Sequence, residues 1–171
     1  MKKYFSILVL LILTLLVSAC GYRLRGTQEL AGGSRTVAVL PFVNKTVETR
    51  IEADFFNALV DEFAQSKNLK IVPVIEAEFL VTGVISAVDN YSISYSSDDK
   101  TYEYRVVMIV NAEIKERATN HIIWQRSSLQ QVEEYKSTGE PLTIDRRKQR
   151  ALKRICKILA EDIHDGIFRD F

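Results

Sequence analysis

Tyr102-Glu103-Tyr104-Arg105-Val106-Val107-Met108-Ile109-Val110-Asn111-Ala112-Glu113-Ile114 decides the fold. Tyr102, Tyr104, Val106, Met108, Val110, Ala112 and Ile114 share one parity. Glu103, Arg105, Asn111, Glu113 and Lys115 take the other. Alternation at both ends of the stretch, around the continuous apolar run Val106–Val110, predicts a strand with one face buried and the other largely wet. A sheet with one apolar face needs a second layer.

The strand has partners on both sides in sequence. Upstream, Phe79, Val81, Ile85, Tyr91, Ile93 and Tyr95 share one parity of a run from Phe79 to Ser96, and Ser96-Ser97-Asp98-Asp99-Lys100 supplies turn chemistry. Downstream, Ala118-Thr119-Asn120-His121 turns the chain into a last strand, Ile122 to Glu134, with Trp124 near its start. Strands near 15 residues exceed the usual 5–6. The tip around residues 92–102 is therefore expected to project beyond the core.

The covering layer is legible on either side of this meander. Thr36-Val37-Ala38-Val39-Leu40-Pro41-Phe42 reads as a buried strand. Thr49-x-x-Glu52 has capping-box spacing, and Ile51, Phe55, Leu59 and Phe63 follow as a helical stripe widened by Phe56 and Val60. Leu69 to Val74 reads as a second strand, placed at an edge by Pro73. Thr143 is positioned to cap a closing helix to about Ile167, whose Leu152, Ile155, Cys156, Leu159, Ile163 and Ile167 fall within about 120°. The expectation is an α+β, two-layer sandwich: two helices on a mixed, mostly antiparallel sheet of four to five strands.

The N-terminus assigns a compartment. Lys2 and Lys3 precede an apolar run from Tyr4 to Val17, then Leu16-Val17-Ser18-Ala19-Cys20 closes it. The run is shorter than the roughly 20 residues that span a bilayer, and small residues precede the cysteine as cleavage requires. The segment resembles the bacterial lipobox, which implies removal of 1–19 and acylation of Cys20. Residues 20–35 then form a lipidated tether and 36–171 a single domain. Gly21, in place of an aspartate, favours the outer membrane. Cys156 is left without a partner and reads as a small core hydrophobe. With Lys2 and Lys3 removed, basic and acidic residues nearly cancel, which argues against a nucleic-acid partner.

No enzyme, metal or cofactor motif emerges. His121 and His164 fall in a turn and at a helix end, and no Cys/His spacing suits a metal. No GxSxG or phosphate loop occurs. Asp61-Glu62, Asp98-Asp99 and Glu133-Glu134 are adjacent pairs whose side chains diverge. Asn44-Lys45-Thr46 matches a glycosylation sequon, an incidental match in a bacterial lipoprotein.

Two binding candidates stand out. Arg146, Arg147, Arg150, Lys153, Arg154 and Lys157 occupy an arc from about −20° to 100° on the closing helix, opposite its apolar face. Cations at an N-terminal half oppose the helix dipole, as do Glu161, Asp162 and Asp165 at the far end. Either lipid phosphates or acidic residues of a protein wall would suit this stripe; a merely solvated face is the ordinary alternative. The second candidate is the hairpin with Tyr91, Tyr95, Tyr102 and Tyr104, as an interface or as cross-strand pairs that stiffen a ribbon.

Cys20-Gly21-Tyr22-Arg23-Leu24-Arg25-Gly26 resembles the mature N-terminus of the LPS-assembly lipoprotein (LptE) family. Val37 to Thr46, followed by the Ile51-centred helix, is similar to that family's first strand and helix. The resemblance implies a lipoprotein lodged in the lumen of an LptD-type outer-membrane β-barrel, acting as plug, assembly factor and lipopolysaccharide-binding subunit. It implies an acyl anchor in the outer membrane and a position facing the periplasm and barrel lumen. The Pro-Phe-x-Asn-x-Thr piece also resembles lipoproteins of TolB N-domain-like fold that activate periplasmic cell-wall synthases. A tether of about 15 residues, near 50 Å when extended, favours a partner at the membrane itself.

Overall fold

The computed structural model describes residues 35–95 and 101–169. The signal segment, Cys20 and the tether lie outside them, as does most of the hairpin turn. Nine elements follow in order: β1 (Arg35–Val39), β2 (Val43–Asn44), α1 (Ile51–Ala64), β3 (Leu69–Ile71), a 3-10 turn (Val74–Glu76), β4 (Phe79–Tyr95), β5 (Thr101–Glu116), β6 (Ile122–Lys136) and α2 (Pro141–Arg169).

The sheet runs β3-β1-β4-β5-β6, and β2 pairs with β4 beside the main path. β1 is parallel to β3 and β4, as β2 is to β4. The long meander β4-β5-β6 is antiparallel. Both helices pack on the face that carries Val37, Val81, Ile85, Val106, Met108, Val110 and Ile114. Phe55, Leu59 and Phe63 of α1 and Leu152, Ile155, Cys156, Leu159 and Ile163 of α2 close the same core. Each such side chain contributes about 1.5–3 kcal/mol of burial. Among the described residues the opposite face holds a small cluster of Ala38, Ala77 and Leu80, flanked by Leu40 and Val72, and the separately buried Val107. The two-layer α+β sandwich expected from the alternation is the fold found, with β2 added to the sheet.

Several local expectations are corrected. The first strand ends at Val39, and Val43–Asn44 forms a separate short strand after Pro41. Thr49-x-x-Glu52 makes no capping box: Arg50, at φ 69°, precedes the helix with no side-chain cap. The Glu52 carboxylate instead accepts from Asn44 Nδ2 at 2.8 Å. The second strand stops at Ile71, because Pro73 starts a 3-10 turn. Thr143 does not cap α2. The helix begins at Pro141, where a ring without an N–H costs nothing, and Thr143 and Ile144 donate their N–H groups to the Glu140 carbonyl.

The parity of β4 also changes midway. A bulge between Ile85 and Ala87 shifts the register by one residue. Ile85 is buried in the core, but beyond the bulge Val88 and Asn90 turn inward and Tyr91 turns out. Gly83 sits just before this point. A Cβ there would lie 2.1 Å from the Asn111 carbonyl oxygen and 2.4 Å from the Phe42 ring, so only glycine lets Phe42 reach the core.

Candidate functional site

The register gives the molecule two ends. Phe79 pairs with Glu116 and Ile122 with Lys115, so β1, β4 and β6 all begin at one end. The other end holds the close of β4, the start of β5 and Lys136. Seventeen residues of β4 separate the two by about 55 Å. Whatever precedes Arg35 thus joins the domain at the end opposite the hairpin tip.

α2, about 44 Å long, runs from the tip end downward. Near its start, Arg147 Nη1 donates to the carbonyls of Lys136 (3.1 Å) and Thr138 (2.6 Å). Near its close, Gly166 packs on the Trp124 indole at the start of β6. Asp162 accepts from Gln131 Nε2 at 3.0 Å and Arg154 pairs with Glu133 at 3.0 Å, so polar bonds flank the apolar core along β6.

These contacts divide the six basic residues. Arg147 and Arg154 are turned toward β6 and serve the fold. Arg146, Arg150 and Lys153 are exposed, and no acid pairs with them among the described residues. Lys157 is exposed and lies 4.0 Å from Glu161. Spaced i, i+4, i+7 and i+11, these four form one line about 16 Å long on the outer surface of α2. Three of the four, all but Lys157, lie in the tip-side half of the helix. Lys148, outside the stripe in the sequence reading, pairs with Glu48, which also accepts from Gln149 Nε2 at 3.2 Å.

The four tyrosines are dispersed. Tyr104 stacks on Tyr135 with centroids 5.7 Å apart. The Tyr135 hydroxyl donates to Asn90 Oδ1 at 3.1 Å, and burial raises its pKa although that hydrogen bond works against the shift. Tyr102 is part-exposed, with the Lys136 ammonium 5.8 Å above its ring. Tyr91 lies opposite Arg105 on the other face and is exposed. Tyr95 ends β4, paired with Thr101. Tyr91 and Tyr104 therefore do not share a surface.

Lys136 is the cation the sequence reading missed. Its only signal was its place as the last residue before the Ser137-Thr138-Gly139 break. Cys156 is buried against α1, and burial, with the nearby Asp54 carboxylate adding to it, pushes the thiol up to about 12. Among the described residues there is no group of acids, histidines and cysteines able to hold a metal, and no helix long and apolar enough to cross a membrane. The Asn44 side chain of the sequon is fully engaged: Oδ1 accepts from the Thr46 N–H and hydroxyl, both at 2.8 Å, and Nδ2 donates to the Glu48 carbonyl at 2.9 Å.

Comparison with known proteins agrees with this architecture. No curated protein sequence matches the chain. Solved structures share its fold at low identity. A lipoprotein B from Nitrosomonas europaea is 17% identical with a TM-score of 0.55, covering 84% of this chain and 87% of that one. The rare lipoprotein B of Shewanella oneidensis is 11% identical with a TM-score of 0.57, covering 79% and 95%. A minor lipoprotein of Acinetobacter baumannii is 14% identical with a TM-score of 0.56, covering 78% and 91%. The family model described as LptE, lipopolysaccharide-assembly, matches residues 34–167, nearly the whole of the sandwich. The chain belongs to the LptE family of lipopolysaccharide-assembly proteins.

Proposed function

We propose that this protein is a non-enzymatic outer-membrane lipoprotein, anchored through an acylated Cys20, that associates with an LptD-type β-barrel as plug and assembly factor. In this reading it faces the periplasm and barrel lumen and helps deliver lipopolysaccharide to the outer leaflet. The line of Arg146, Arg150, Lys153 and Lys157 contacts lipid A phosphates or acidic residues of the barrel wall.

The observation that carries the reading is that line of cations on a fold of this family. The line is single-signed, and three of its four members have no acid paired with them among the described residues. Its distance from the start of β1 supports a domain tethered at one end and working at the other. Guanidinium and ammonium groups at a spacing of about 5–6 Å match a ligand with several phosphates.

The test uses the full lipidated chain and the triple variant R146E/R150E/K153E. Recovery of lipopolysaccharide and of the barrel is measured after purification in detergent. Loss of one or both from a folded variant is expected; unchanged recovery of both reduces the stripe to a solvated face.

A further inference from the structure

Antiparallel neighbours alternate between pairs that exchange hydrogen bonds and pairs that do not. Two bonds fix which is which in β5 and β6. The Ser137 N–H donates to the Tyr102 carbonyl at 2.9 Å, so even-numbered residues of β5 face β6. The Ser86 hydroxyl donates to the Ile109 carbonyl at 3.0 Å, so odd-numbered residues face β4. Arg105–Glu134, Val107–Val132 and Ile109–Gln130 are therefore non-bonded pairs. Gln130, Val132 and Glu134 consequently turn six backbone groups away from β5, along the outer edge of the sheet.

No strand pairs with β6 on that side among the described residues, and no side chain bonds those six groups. The opposite edge is managed: β3 has three residues and is closed by Pro73. β6 has fifteen residues and no proline, and its two register shifts are confined to the stretch between Ile122 and Leu129. Beyond them the edge is regular, and its acids are neutralised: Glu133 by Arg154 and Glu134 by Arg105. A long, regular, nearly neutral edge is complementary to one chemistry, an extended polypeptide backbone.

We propose that the Gln130–Glu134 edge of β6 docks an extended segment of the barrel partner by main-chain hydrogen bonds, adding a strand to the sheet. This rests on the barrel association proposed above and adds where and how the two chains meet. The cationic line of α2 lies on the helix layer, so the two surfaces are separable by mutation.

The experiment co-expresses the full chain with its LptD-type barrel and purifies the complex in detergent. V132P removes one outward N–H and no bond of the β5–β6 ladder, so the isolated chain keeps its fold. V132T changes the side chain and keeps the N–H. Recovery of the barrel is expected to fall at least about tenfold with V132P and to hold with V132T. Hydrogen exchange on the wild type gives a second reading that needs no variant. The amides of Gln130, Val132 and Glu134 should exchange fast in the isolated chain and slowly in the complex, while Gln131 and Glu133 are slow in both. Full recovery with a folded V132P, or three amides that stay fast in the complex, overturns the proposal alone. A wild-type chain that recovers no barrel overturns the barrel reading and this proposal with it. An isolated chain that dimerises through this edge, and loses the dimer in V132P, assigns the edge to a second copy and overturns the partner.

Discussion

Gly166 of α2 lies flat against the indole of Trp124: a Cβ built on it would come 2.5 Å from Cζ2 and 2.7 Å from Nε1. The contact seats the last turns of α2 on the start of β6. Alanine in a helix interior gains about 1 kcal/mol over glycine, whereas forcing atoms into a packed site costs about 1–3 kcal/mol. The clash should win here, because the atoms in the way belong to a buried rigid ring and not to the end of a flexible side chain. Gly166→Ala is expected to lower stability in urea and to shift the fluorescence of Trp124, the chain's single tryptophan. An unchanged or raised midpoint would show that the contact relaxes freely.

Asn44 and Glu48 join the loop before α1 to the first turns of α2. Asn44 makes three hydrogen bonds within the loop and one to Glu52 of α1, and Glu48 holds Lys148 and Gln149. Asn44→Ala should cost about 1–3 kcal/mol, because partners are left unsatisfied. A double-mutant cycle with Glu48→Ala should show coupling of about 0.5–3 kcal/mol, since both act on one network. Strictly additive losses would mean that the loop does not position Glu48.

The buried Cys156 thiol predicts a pH dependence. Its folded value is about 12, above an ordinary thiol near 9. Folded protein therefore keeps a proton that unfolded protein releases. The thiol's contribution is fully present below pH 9 and declines as pH rises between 9 and about 12, by about 1.4 kcal/mol per pH unit. Cys156→Ala should flatten that decline, measured by urea denaturation from pH 8 to 10.5. In the native state at pH 8 the thiol should resist iodoacetamide and react only on unfolding; fast native alkylation would contradict its burial.

Stability and function should separate at the cationic line. Arg146 and Arg150 are exposed in the second and third turns of α2, with no acid paired to them among the described residues. R146E/R150E is expected to leave stability within about 0.5 kcal/mol of the parent. Lipopolysaccharide or barrel recovery should fall in the same protein. A parallel loss of stability would mean that the stripe serves the fold.

The layers were legible because burial imposes a period. Tyr104 to Ile114 on β5 and Ile51 to Phe63 on α1 repeat at 2 and near 3.6, and both faces are buried in the core. What was not legible depends on interactions distant in sequence. The bulge after Ile85 breaks the β4 parity with no local sign beyond Ser86, whose hydroxyl bonds Ile109. Glu52 has the spacing of a cap, but Asn44, eight residues earlier, takes its carboxylate. The stripe on α2 could be read as an arc from spacing alone. Its division required knowing that Glu133 of β6 and the carbonyls of Lys136 and Thr138 lie beside Arg154 and Arg147.

The proposed partnership of this member of the LptE family with an outer-membrane barrel is tested by affinity purification of the full-length chain from native outer membranes in mild detergent, with bound proteins identified by mass spectrometry. A large β-barrel of LptD type is expected in about equal amount, with lipopolysaccharide in the same fraction. Recovery of a periplasmic cell-wall synthase, with no barrel of that type, would contradict that partnership.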